Sequence, residues 1–181
     1  MLGVLRLATE ADAEAMLAIY APHVERSAVS FEWELPSLAE FRGRIRDTLR
    51  DYPWFVATDE TGVTGYAYAA RYRTRTAYQW SVETTIYLRP DRQGRGTGRA
   101  LYERLLATLR KQGIRLAYGV IALPNEASVR FHEALGFKAF ALYPQAGFKL
   151  GHWHDVGWWR KELVELGNEP APPVPFKDLE F

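Results

Sequence analysis

The stretch Arg92-Gln93-Gly94-Arg95-Gly96-Thr97-Gly98-Arg99 limits what this chain can be more than any other. Before it, Val82 to Leu88 alternates as a strand does. After it, Leu101, Leu105 and Leu109 recur on one helical face. Glycine between a strand and a helix admits positive φ and removes the Cβ that would keep a bulky anion off the backbone. The first amides of a helix are unpaired, and with the macrodipole they form an anion site. Arg95 and Arg99 add cationic reach toward phosphate oxygens. The spacing is not the dinucleotide-binding Gly-x-Gly-x-x-Gly, because position 99 is arginine, and no Gly-Lys-Ser/Thr follows. A tight turn with a helix cap is the alternative that binds nothing.

Around this loop the pattern predicts the order βααβββαβαββ. Val4 to Leu7 alternates as a short strand. Thr9 with Asp12, and Ser37 with Glu40, each carry the spacing of a capping box, opening helices that end near Val24 and Leu49. Strands are expected at Trp54 to Thr58, Val63 to Arg75, Val82 to Leu88 and Leu116 to Ala122. Asn125 to Leu135 reads as a helix stopped by Gly136, and two more strands run to about Leu163. Helices must cover a mixed sheet, so the fold class is α/β (α+β) in three layers, about seven strands with about four helices. Residues 1–165 form one domain, and 166–181 are a proline-rich tail that extends over the surface or is mobile.

Composition removes several functions. The chain of 181 residues has 23 basic and 22 acidic side chains and a net charge of +1, without a basic run, so no nucleic-acid partner is expected. There is no cysteine, which excludes disulfides, thiolate nucleophiles and cysteine-based zinc sites. No apolar stretch approaches the roughly 20 residues of a membrane span, and no secretory signal is visible, so a cytoplasmic location without a membrane partner is expected.

Gln93-x-x-Gly96-x-Gly98 resembles the Gln/Arg-x-x-Gly-x-Gly/Ala signature of the GCN5-related N-acetyltransferases (GNAT), whose loop cradles the CoA pyrophosphate. The element order is similar, as is Asn125-x-x-Ser128 opening a helix, and the resemblance covers roughly residues 3 to 163. Ser128-Val129-Arg130-x-His132-Glu133-Ala134-Leu135-Gly136 and the Trp-His-Asp-Val-Gly run from Trp153 are similar to phosphinothricin acetyltransferases. The resemblance implies a GNAT fold and acetyl-CoA as co-substrate. Gln93, Gly94, Arg95, Gly96, Thr97, Gly98 and Arg99 would hold the pyrophosphate. Backbone groups of Ile86, Tyr87 and Leu88 would hold pantetheine, with Asn125 and Ser128 along the same path.

An acetyltransferase must take a proton from an ammonium group and return one to the departing thiolate. Glu83, on the face of its strand opposite Val82, Thr84, Ile86 and Leu88, is the candidate base, with a structural ion pair as its alternative. Asn125, Ser128 and His132 share a helical face by spacing, so His132 is a candidate acid or relay where many members of the superfamily carry tyrosine. Arg71, Arg73 and Arg75 would share one face if their strand stays extended. The resemblance makes Arg73 and Arg75 the clamp for an anionic amino-acid acceptor, against a solvated basic edge. Phe31 is a candidate for lining that pocket, with core packing as the alternative. His152, His154 and Asp155 could suggest a metal, but the resembled enzymes use none there, so no metal is expected and strand pairing or a dimer contact is. Dimers are common in the resembled group, which leaves a homodimer open. Acetylation of another amine, and a non-enzymatic acyl-CoA sensor, are the competing functions.

Overall fold

Capping starts the first two helices as their spacing predicts. The backbone N–H and hydroxyl of Thr9 donate to the Asp12 carboxylate at 2.8 and 3.0 Å, and Arg6 pairs with the same group at 2.6 Å. A 3-10 turn at Glu10–Asp12 leads there into α1 (Ala13–Glu25). The backbone N–H of Ser37 donates to Glu40 at 2.7 Å and Glu40 N–H returns to the Ser37 hydroxyl at 3.3 Å, opening α2 (Leu38–Asp51).

The computed structural model describes residues 3–180. Its strands are β1 (Val4–Leu7), β2 (Trp54–Asp59), β3 (Gly62–Arg71), β4 (Ser81–Leu88), β5 (Leu116–Ala122), β6 (Lys138–Lys149) and β7 (His152–Glu162); α3 (Thr97–Gln112) and α4 (Glu126–Ala134) complete the helices. They form one mixed seven-stranded sheet in the order β1-β2-β3-β4-β5-β7-β6. Only β4 and β5 run parallel, and α3 is the crossover that such a pair requires. Side-chain alternation divides the core. Phe55, Ala57, Ala67, Ala69 and Val82 meet Leu101, Tyr102, Leu105 and Leu109 of α3 on one face. Trp54, Val56 and Tyr66 meet Met16, Tyr20, Phe41 and Ile45 of α1 and α2 on the other. This is the expected three-layer arrangement of a mixed sheet covered by helices on both faces.

The parallel pair is short, with Ser81↔Leu116, Val82↔Ala117 and Glu83↔Tyr118 as its only rungs. β4 continues to Leu88 and β5 to Ala122, so beyond Glu83 and Tyr118 the two strands separate. That gap is where the site is built.

One expectation needs correction. β3 stops at Arg71 rather than Arg75, because its last partner is Val82 and β4 begins only at Ser81. Tyr72 instead leaves the strand and stacks on Tyr118 at 4.7 Å. Arg71, Arg73 and Arg75 therefore do not share a strand face. The tail, of the two states anticipated, takes the surface-bound one: Val174 N–H donates to Gln112 O and Trp80 Nε1 to Ala171 O, both at 2.8 Å, and Phe176 is buried. No helix among the described residues is long and apolar enough to cross a membrane.

Candidate active site

Where β4 parts from β5, a cleft of about 350 Å³ opens. Ile86, Tyr87 and Leu88 of β4 line it together with Gln93, Gly94, Asn125 and Ser128. The glycine loop enters α3 with Gly94 at φ 71° and Gly96 at φ 85°, in the left-handed region that favours glycine. Gly96 caps α3 without any side-chain hydrogen bond, so the first amides of the helix stay free for an anion. Gly98 serves a different end: a Cβ there would stand 3.0 Å from Leu88 Cδ1 and 3.3 Å from Phe131 Cε2, so glycine lets the first turn of α3 lie against β4. Asn125 caps α4 by accepting from Ser128 N–H at 3.2 Å. A donor-rich, uncapped helix start beside an apolar slot fits a pyrophosphate with an extended thiol arm.

Not all of the loop faces this cleft. Arg95 and Thr97 line a separate hollow with Thr58, Asp59 and Arg92. Arg92 Nε bonds Asp59 at 2.9 Å and so ties the loop to the β2–β3 turn. Arg99 reaches along α3 to Glu103 at 3.2 Å and to Ala134 O at 3.3 Å. Conversely His23, Val29, Ala127 and Phe131 also line the cleft. Phe131 follows Ser128 by three residues, a signal that helical spacing offered. His23 and Val29 come from the end of α1 and the segment after it, and nothing local in the sequence points to them.

Glu83 lies on the same face of β4 as Tyr87 and is half-buried. Burial raises its carboxyl pKa above the usual carboxylate value, and the Arg73 guanidinium, 3.5 Å away, opposes that rise. Arg73 is itself positioned over the ring of Tyr72, 4.4 Å from its centroid, with Trp158 at 5.8 Å. Arg75 is exposed at the start of the 3-10 turn Thr76–Tyr78, apart from this pair. Phe31 is part-exposed; its ring lies against Gly147 and 6.2 Å from that of His154. The segment carrying Phe31 is fixed by Lys149, a buried amine that donates to Val24 O and Ser30 O, both at 2.6 Å. His154 bonds Lys149 O at 3.1 Å and His152 pairs with Lys149 across the β6–β7 ladder; among the described residues no cluster of three potential metal ligands forms.

His132 is 4% exposed and sits behind the cleft wall rather than in it. Its Nδ1 is 2.8 Å from Ser128 O and 3.4 Å from the Ser128 hydroxyl, while Nε2 is 2.9 Å from Tyr102 Oη. The ring covers Gly119 of β5, where a Cβ would come within 2.6 Å. Burial lowers its pKa, partly offset by the Ser128 carbonyl. Helical spacing thus brings Asn125 and Ser128 to the cleft and turns His132 inward, hydrogen-bonded to the cleft lining through Ser128.

Comparison with known proteins identifies the family. The Acetyltransferase (GNAT) domain family matches residues 5–158. The chain is 42% identical over 175 residues to the phosphinothricin N-acetyltransferase of Streptomyces viridochromogenes, covering 97% of this chain and 93% of that one. It is 33% identical to the L-methionine sulfoximine/L-methionine sulfone acetyltransferase of Salmonella typhimurium, over 89% of this chain and 95% of that relative. Among solved structures, a phosphinothricin acetyltransferase from Sinorhizobium meliloti in complex with AcCoA superposes with a TM-score of 0.91 at 37% identity, covering 99% and 98% of the two chains. With that fold, that loop and these relatives, the chain belongs to the GNAT acetyltransferase family and is an acetyl-CoA-dependent N-acetyltransferase.

Proposed function

We propose that this enzyme acetylates the α-amine of small anionic amino acids, with phosphinothricin, methionine sulfoximine and methionine sulfone as acceptors. The observation that carries the reading is the Glu83–Arg73 pair. A half-buried carboxylate with a raised pKa stands on the strand whose next turns line the cleft, and a guanidinium beside it can hold an anion. The relatives named for these acceptors support the choice.

In this reading the thioester of acetyl-CoA supplies the acetyl group. The free amides at the start of α3 hold its pyrophosphate, and Ile86 to Leu88 with Asn125 and Ser128 line the thiol arm. Glu83 accepts a proton from the acceptor ammonium, so that nitrogen can form the new N–C bond as the C–S bond breaks, and the second proton that nitrogen sheds on becoming an amide passes to solvent. His132 returns a proton toward the departing sulfur through the Ser128 hydroxyl. Arg73 binds the acceptor's anionic end, with Arg75 at the outer edge and Phe31 closing one side. Exposed Phe148, Leu150 and Trp153 at the β6–β7 end give a homodimer an apolar surface to use. The work is assigned to the cytoplasm, where acetyl-CoA is available.

The test is thiol release by the purified enzyme with the three acceptors and a wider amine panel, for wild type and Glu83→Gln. The expected result is turnover on the three acceptors, and a loss of about 10²- to 10⁴-fold in Glu83→Gln with CoA binding kept. Full activity in Glu83→Gln overturns the base; turnover only on other amines overturns the acceptor.

A further inference from the structure

One line of hydrogen bonds, buried except at its Ser128 end, joins all four elements around the cleft. Ser128 O of α4 meets His132 Nδ1 at 2.8 Å, and His132 Nε2 meets Tyr102 Oη of α3 at 2.9 Å. Tyr102 Oη meets Thr84 Oγ1 of β4 at 2.7 Å, and Thr84 Oγ1 meets Tyr118 O of β5 at 3.0 Å. Thr84 follows Glu83, and Tyr118 is the β5 residue of the last parallel rung. The Thr84 hydroxyl therefore bonds the Tyr118 carbonyl at the level where the strands divide.

Counting protons shows what this line requires. Both ends are carbonyls, which only accept. The Tyr118 contact needs the Thr84 proton and the Ser128 contact needs a proton on His132 Nδ1. Thr84 Oγ1 must then accept from Tyr102, whose single proton is used there. The remaining contact, Tyr102 Oη to His132 Nε2, is satisfied only if Nε2 carries a proton too. Four contacts need four protons; a neutral imidazole with two hydroxyls supplies three, and the imidazolium supplies the fourth. At Nδ1 the Ser128 hydroxyl stands farther off, at 3.4 Å against 2.8 Å for the Ser128 carbonyl, so the carbonyl takes that proton. Tyr102 faces it from α3 and Ser128 from α4; Gly119 of β5 brings no side chain, and Phe131 and Phe137 present ring edges at centroid distances of 5.5 and 5.2 Å. Tyr102 is the hydroxyl that bonds Nε2, Thr84 of β4 reaches the ring only through it, and among the described residues no charged side chain shifts the ring.

We infer that Tyr102 and Thr84 are positioning residues that set the protonation of His132: their fixed direction of hydrogen bonding offers an acceptor to the second imidazole proton and so favours the charged ring against its burial. This deepens the relay proposed for His132, yet its first readout depends neither on the acceptor amine nor on turnover.

The experiment is the NMR titration of His132 in wild type, Thr84→Val, Thr84→Ser and Tyr102→Phe, with the signal assigned from a His132→Gln sample. In Thr84→Val the Tyr102 proton is released to bond Nε2 of the neutral ring, and in Tyr102→Phe the Nε2 proton has no acceptor. Both variants are expected to lose on the order of tenfold in the proton affinity of His132, as the loss of one charge-assisted bond implies, while Thr84→Ser keeps the wild-type value. Thr84→Ser matters because it preserves the hydroxyl whether or not the other variants are less stable. An unmoved titration in Thr84→Val, or a Thr84→Ser titration that moves with it, overturns the inference. The pH profile of kcat then tests the relay separately. A relay needs protonated His132, so its alkaline limb moves to lower pH in Thr84→Val. A shifted titration with an unmoved limb supports the inference and overturns the relay.

Discussion

Arg73 Nη1 lies 3.5 Å from Glu83 Oε1, and this guanidinium is the one group that counters the burial-driven rise in the Glu83 pKa. A general base works only when ionised. Neutralising Arg73 raises the Glu83 pKa further, so the acidic limb of kcat/KM moves to higher pH. Arg73→Gln is expected to show that shift together with a rise of about tenfold in the acceptor KM, from the lost ion pair with the acceptor's anion. Arg75→Gln, whose side chain stands apart from Glu83, leaves the limb in place. A pH series of both variants at saturating acetyl-CoA checks the pair.

Gly98 and Gly94 separate two uses of glycine in one loop. Gly98→Ala puts a methyl group 3.0 Å from Leu88 Cδ1, between α3 and the strand that lines the cleft. Overpacking of that kind costs about 1–3 kcal/mol. It moves the helix start that holds the pyrophosphate, so a lower melting temperature and a severalfold higher acetyl-CoA KM are expected together. Gly94→Ala meets nothing within 4 Å but must keep φ 71°. Its cost is backbone strain of about 1–2 kcal/mol, and acetyl-CoA KM is the quantity that moves. Melting curves and KM measured on the two variants separate packing from conformation.

Much of this was readable locally. The capping pairs Thr9/Asp12 and Ser37/Glu40 fixed helix starts because a cap is a contact three residues apart. The glycine loop was legible as an anion site because strand, loop and helix follow one another in the chain, and Gln93 and Gly94 of it line the cleft; Ile86 to Leu88, Asn125 and Ser128 came from the family resemblance. The three-arginine face failed for a non-local reason: extending β3 to Arg75 needs residues on β4 that the next strand does not provide. His23 and Val29 reach the cleft only through tertiary packing of α1. The burial of His132 is likewise set by Tyr102, 30 residues away, and by Gly119 on another strand.

Lys149 ties the segment after α1 to β6. Its ammonium donates to Val24 O and Ser30 O from a position that is 3% exposed. Lys149→Met keeps most of the side-chain volume but leaves those carbonyls without their donor, a loss of about 1–3 kcal/mol. The segment it releases carries Val29, on the cleft, and Phe31, packed on Gly147. A lower melting temperature with an acceptor KM raised several times, and a smaller change in the acetyl-CoA KM, is expected from steady-state kinetics with each substrate varied.

The tail acts at the other end of α3. Gln112 Nε2 donates to both Asp51 O and Val174 O at 2.8 Å, and so joins the tail to the ends of α2 and α3. Phe176 inserts beside them with 6% of its surface exposed. The 16 residues of α3 put the glycine loop about 24 Å from this contact. Phe176→Ala should therefore cost stability, about 3 kcal/mol, without changing the chemistry. For a chain of this length that is a fall of about 6–12 °C in melting temperature. Turnover well below the melting point should match wild type, because neither the cleft nor the Glu83–Arg73 pair touches the tail. A large drop in kcat at that temperature would show that the tail reaches the active site through α3.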